Sequence, residues 1–157
     1  MLVNVNPLGF LDAPDARSVS HLIGETEELV DELGLSLADL RPAEEALSAA
    51  KALFSAQAYA TAAAQAERAA ELAVSLNDRF TVYMEAWRGL QTCMEELQML
   101  GFPTKPLEVA LSAADQETVH QVEEDGSIVP NYVGATAMLV QATGGARALV
   151  AHARESS

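Results

Sequence analysis

Cysteine occurs once in this 157-residue chain, at Cys93, so no internal disulfide, thiolate zinc cage or redox pair can form within one molecule. That scarcity fits a reducing cytoplasm. Lysine is almost as rare: Lys51 and Lys105 stand alone beside seven scattered arginines, against 23 acidic residues, for a formal charge of −14. No basic patch is visible, so neither nucleic acid nor an anionic membrane surface is an expected partner. Long apolar runs are missing too. The opening "MLVNVNPLGFLDAP" is apolar but lacks a basic leader, and Pro7 interrupts it well short of a signal core or a membrane span. It reads as an uncleaved apolar tail over residues 1–14.

What is present is alanine, leucine and acid. Half of the residues are apolar, enough for one ordinary domain with a buried core, here residues 15–157. The acids crowd into Gly24–Glu45, where Glu25, Glu27, Glu28, Asp31, Glu32, Asp39, Glu44 and Glu45 face only Arg41. Such a run normally solvates a helix, and it also suits a basic partner.

Between Tyr59 and Leu97 apolar residues fall at Tyr59, Ala62, Ala66, Ala69, Ala73, Leu76, Phe80, Tyr83, Trp87, Leu90, Met94 and Leu97. The spacing alternates between three and four throughout, the signature of one helix packed along its whole length. Asn77-Asp78 resembles a turn and Gly89 costs about 1 kcal/mol in a helix interior, but a break at either would shift the phase. The expectation is a single helix over about 58–100, roughly 60 Å long, closed by Gly101 with Pro103 beyond it. Shorter helices are expected over about 16–33, stopped by Gly34, and over about 42–56 from Pro42. A fourth is expected over about 106–122, with Val119 inward, and a fifth over about 131–154. "EEDGSIVPN" is expected as a loop with Asp125-Gly126 at its turn, and no strand is expected. Gly144-Gly145 suggests a kink or a close helix contact. The architecture is all-α: five helices in two three-helix units sharing the long central helix.

"ALSAA" occurs twice, at Ala46–Ala50 and Ala110–Ala114, each time after a Leu-Gly and before a tyrosine followed by spaced alanines. Two degenerate repeats, about 15–78 and 79–157, account for this. The first hairpin resembles a tetratricopeptide repeat at Ala50, Leu53, Tyr59, Ala62, Ala66 and Ala69. It departs from that family in having Val74 where the closing proline is usual, and in lacking a large residue early in its first helix. It is more similar to degenerate alanine-rich hairpins common in archaeal proteins, through Gly34-Leu35, Ala43-Glu44, Leu47, Ala50, Tyr59, Ala62 and Ala66. The resemblance implies a non-enzymatic interaction or spacer module.

Glu117 and His120 form an E-x-x-H, half of what a di-iron helical bundle needs, and no second copy exists, so no metal or cofactor is expected. His21 with Glu25 and His152 with Glu155 read as surface pairs, and Cys93 as a small core residue. Trp87-Arg88-Gly89 resembles the W-x-G of small secreted hairpins, but the helical phase runs through it. The apolar tail either packs back into a groove of its own bundle or clasps a neighbouring subunit or partner; the candidate partner contacts are its Leu2, Val3, Val5 and Phe10 and the acidic Glu27, Glu28 and Asp31. The expectation is a cytoplasmic, non-enzymatic scaffold that binds a protein partner or associates with itself as a homodimer. An acidic chaperone for an export or assembly substrate is the alternative, and a metal-dependent helical-bundle enzyme the alternative of another class.

Overall fold

The computed structural model describes residues 14–124 and 127–156, and it is predominantly helical. Five α-helices occur among the described residues: α1 (Ala16–Leu33), α2 (Arg41–Ser55), α3 (Tyr59–Met99), α4 (Lys105–Val119) and α5 (Tyr132–Ser156). A 3-10 turn, Gly34–Ser36, follows α1, and a β-hairpin of β1 (Gln121–Glu124) and β2 (Ser127–Pro130) separates α4 from α5. Residue contacts divide the chain at Asn77/Asp78 into two compact units, with α3 continuous through the boundary.

Every one of the twelve spaced apolar positions of α3 is buried or half-buried, as a helix packed on one side requires. Asn77 makes no turn. Its side-chain oxygen accepts a hydrogen bond from the Ser36 hydroxyl at 2.6 Å, so the residue anchors the 3-10 turn after α1 to α3. Gly89 has open space where a side chain would stand. The helix ends as the glycine suggested: Gly101 has φ +82°, the Phe102 amide donates to the Leu97 carbonyl (2.9 Å) and the Gly101 amide to that of Gln98 (3.1 Å). This is a Schellman closure, which the left-handed glycine makes possible.

In the first unit, alanine sets the geometry. Ala50, Ala62, Ala66 and Ala69 are fully buried and pack with Val19, Ile23 and Leu47, bringing α1, α2 and the first half of α3 together. Side chains one carbon long let helix backbones approach closely. Asp15 caps α1 by accepting from the Ser18 amide at 2.7 Å, an interaction that also holds its carboxyl below the usual range. Gly34 does not reverse the chain, since it is right-handed (φ −61°) and the 3-10 turn runs on to Ser36. Leu37 (φ 73°) takes the left-handed conformation instead. In the second unit Tyr83, Leu90, Leu97, Leu107, Leu111, Tyr132 and Leu139 form a bulkier core.

Three expectations are corrected here. The segment expected as helix and loop is a two-stranded sheet, with Val122 paired to Val129 and Glu123 to Ile128. Val122, Ile128 and Val129 favour extended backbone, and burial of Val129 secures the hairpin. The turn residues Asp125-Gly126 lie outside the described residues. Val119 is therefore the last residue of α4 and largely exposed, not inward. Gly144 and Gly145 lie on the exposed side of α5 with nothing within 4 Å, so they mark no close helix contact inside the molecule.

Candidate interaction site

The first unit carries a groove of about 340 Å³ between α1 and the start of α3, lined by Pro14, Ser18, Leu22, Ala60, Ala63 and Ala64, with Val19 beneath and Glu67 at its edge. Its origin is local. Ala60 and Ala64 point outward where a longer side chain would cover the space beside Leu22. Ser18, Leu22, Glu25, Leu29 and Glu32 follow one another at helical spacings of four and three on α1, so Glu25 and Glu32 extend the groove-side row. Both are exposed. A groove of mixed apolar and polar lining thus has Glu67 of α3 in its wall, with Glu25 about one turn beyond Leu22 on α1.

The acids expected to meet a partner are distributed differently. Glu27 is engaged with the ammonium of Lys51 on α2, an ion pair half-open to solvent. Its charge is already partly compensated. Glu28 and Asp31 are exposed on α1 away from the groove row. Leu2, Val3, Val5 and Phe10 lie outside the described residues. His21 sits 3.5 Å from Glu25, the expected surface pair.

The E-x-x-H does not present two ligands from a helix. α4 ends at Val119, and His120 is extended (φ −70°, ψ 132°). Glu117 Oε1 lies 3.4 Å from His120 Nδ1, while its Oε2 accepts from Asn131 Nδ2 at 2.7 Å. Asn131 in turn caps α5: its Oδ1 accepts from the Gly134 amide at 3.0 Å, and its own amide donates to the His120 carbonyl at 3.2 Å. The glutamate thus ties both ends of the hairpin together. Gly134 leaves room for this cap, because a Cβ would lie 2.3 Å from Asn131 Nδ2 and the Asn131 side chain would have to shift. Among the described residues no group of three or more His, Cys, Asp or Glu side chains is placed to hold a metal ion, and Cys93 is buried.

Sequence reasoning missed one polar contact in the second core. The Tyr83 hydroxyl donates to Asp115 Oδ1, with the tyrosine ring stacked among Phe80 (6.4 Å between centroids) and Tyr132 (5.9 Å). Burial first, and then the adjacent carboxylate, push the phenol well above its ordinary range. A phenol so stabilised in its neutral form holds structure and is no general base at neutral pH. Thr26 and Thr143, also buried, donate back to the Leu22 and Leu139 carbonyls (2.8 and 2.7 Å), which satisfies their hydroxyls within their own helices.

Compared with protein-family models, with curated proteins and with solved structures, the chain matches none. No helix among the described residues is long and apolar enough to cross a membrane. The groove and its acidic rim are therefore the basis for a functional reading.

Proposed function

We propose that this protein is a non-enzymatic helical interaction module, working in the cytoplasm, whose α1–α3 groove takes an apolar face of a basic, helical segment of another protein. The observation that carries the reading is the groove itself, where Leu22 and three alanines stand beside the Glu67 carboxylate, with Glu25 about one turn beyond Leu22 on α1. Leu22 and the alanines would bury the partner's apolar residues, while the carboxylates attract its Lys and Arg and fix its register.

Tetratricopeptide-like duplication supports the same reading. At the sequence-matched places of the two repeats, Leu47 and Leu111, Ala50 and Ala114, Tyr59 and Tyr132, and Ala62 and Ala135 are all buried or half-buried. Hairpins of this kind bury one face on a neighbour and leave another for a ligand.

The test is fluorescence anisotropy with a labelled amphipathic peptide carrying lysines beside a Leu/Ala face, and with its charge-reversed counterpart. The expected result is micromolar affinity for the basic peptide, about tenfold or more weaker binding of the acidic one, and weakening with salt. Ala64→Trp, which fills the groove from an exposed position, should abolish binding while leaving the circular dichroism spectrum unchanged. Absence of binding by either peptide, or equal binding by Ala64→Trp, contradicts the proposal.

A further inference from the structure

The second unit holds a cleft of about 450 Å³ between α3 and α5, within the size range of small-molecule sites. α3 lines it with Gly89, Thr92, Cys93 and Glu96, and α5 with Arg147, Val150, Ala151 and Arg154. Both sets follow the same helical spacing of three, one and three, so each helix offers one stripe two turns long. The two stripes run in the same direction, since Tyr132 near the start of α5 packs on Phe80 and Tyr83, and Arg154 near its end is ion-paired with Glu96. Cys93 and Val150, both buried, form the floor.

The two arginines of the cleft are not equivalent. Arg154 is neutralised by Glu96, but seven residues earlier on each helix the corresponding pair is Arg147 and Gly89, and no carboxylate meets the second guanidinium. Among the described residues Arg147 has neither an ion pair nor a hydrogen bond. Gly89 has no packing role within the chain either: a Cβ there would have nothing within 4 Å, yet glycine costs the helix about 1 kcal/mol relative to alanine. A local cost without a packing gain is the mark of a functional position. Here the missing side chain widens the cleft beside the unpaired arginine.

We infer that this cleft binds a small aliphatic monocarboxylate, whose carboxylate pairs with Arg147 and whose apolar chain lies over Cys93 and Val150. Charge selects the class. Arg147 and Arg154 against Glu96 leave the lining one unit positive in a chain of net charge −14, so a monoanion is matched, whereas a phosphate dianion brings surplus charge towards Glu96 and leaves the apolar floor uncovered. A guanidinium also offers a carboxylate two parallel N–H donors. The inference is independent of the α1–α3 groove, which lies in the other unit.

Titration of the full chain with butyrate at constant ionic strength, followed by amide chemical shifts, tests this. The expected result is saturable shifts at Gly89, Thr92, Val150 and Ala151 with Kd on the order of 1 mM, the affinity a ligand of so few atoms can reach. Butylamine, the same chain with the opposite charge, should not produce them, and inorganic phosphate should bind about tenfold or more weakly. Arg147→Gln should weaken butyrate by about tenfold or more, and Gly89→Leu, which fills the cleft from open space, should abolish binding. Arg88→Gln, an exposed arginine of α3 outside the lining, should leave it unchanged. Thermal melting of each variant checks the fold. No saturable shift, equal response to butylamine, phosphate binding as tight as butyrate, or full binding by a folded Arg147→Gln chain overturns the inference.

Discussion

Replacing Tyr83 by phenylalanine removes one oxygen and leaves the aromatic cluster in place, which makes it a clean perturbation of the second unit. The ring is only 4% exposed and contacts Phe80 and Tyr132, so packing is preserved. What disappears is the hydrogen bond to Asp115. Bonds to a charged acceptor contribute about 1.5–3 kcal/mol, but Asp115 is itself exposed and regains water, so about 1–2 kcal/mol is the expected loss near neutrality. For a chain of this size that is roughly 3–6 °C in Tm. The pH dependence is the sharper signature. The folded-state pKa of Tyr83 is raised, so its contribution is complete below the unfolded value of about 10 and is lost as pH rises above it. The wild type should lose about 1.4 kcal/mol per pH unit there relative to Tyr83→Phe, closing the gap near pH 11. Urea denaturation of both proteins at pH 8, 10 and 11 measures this, with Asp115→Asn completing a double-mutant cycle. A gap that stays constant across that range, or no gap at pH 8, refutes the assignment.

Gly134→Ala should destabilise the chain by at most about 1 kcal/mol, since the new methyl displaces the Asn131 side chain that caps α5, and Asn131→Ala should cost about 1 kcal/mol; denaturant titration compares them. Combined, the two should be less than additive because they remove the same cap. Ala66→Leu, at a fully buried contact, should cost about 1–3 kcal/mol through overpacking, read as an earlier thermal transition. Gly101→Ala should cost roughly 1 kcal/mol, because the closure of α3 needs φ +82°, and amide exchange should then show faster opening of the last turn.

α3 was legible in the sequence because twelve apolar residues hold one phase through two apparent breaks, and no other structure satisfies that spacing. α1, α2 and α5 followed for the same reason, helped by Gly34 after α1 and Pro42 at the start of α2. The hairpin was not, since strands of four residues such as "QVEE" carry too few apolar positions to distinguish alternation from a helix end. Asp-Gly between valine-bearing segments was the available signal. The groove escaped because it is a space left by Ala60 and Ala64, and small residues mark buried contacts as readily as open ones. Contacts distant in the chain were equally silent: Glu27 meets Lys51 and Tyr83 meets Asp115 across 24 and 32 positions, which helical periodicity does not connect. The acid cluster was legible as charge, but only the structure shows that Glu27 is paired with Lys51 and that Glu67, outside the cluster, lines the groove.

Hydrogen–deuterium exchange of the full chain with and without the basic amphipathic peptide tests the central claim most directly. The account predicts that bound peptide slows exchange in Ser18–Leu22 of α1 and Ala60–Glu67 of α3, and that Glu25→Lys with Glu67→Lys removes the protection. Protection confined to other segments, or none at a peptide concentration that saturates the anisotropy signal, would contradict it.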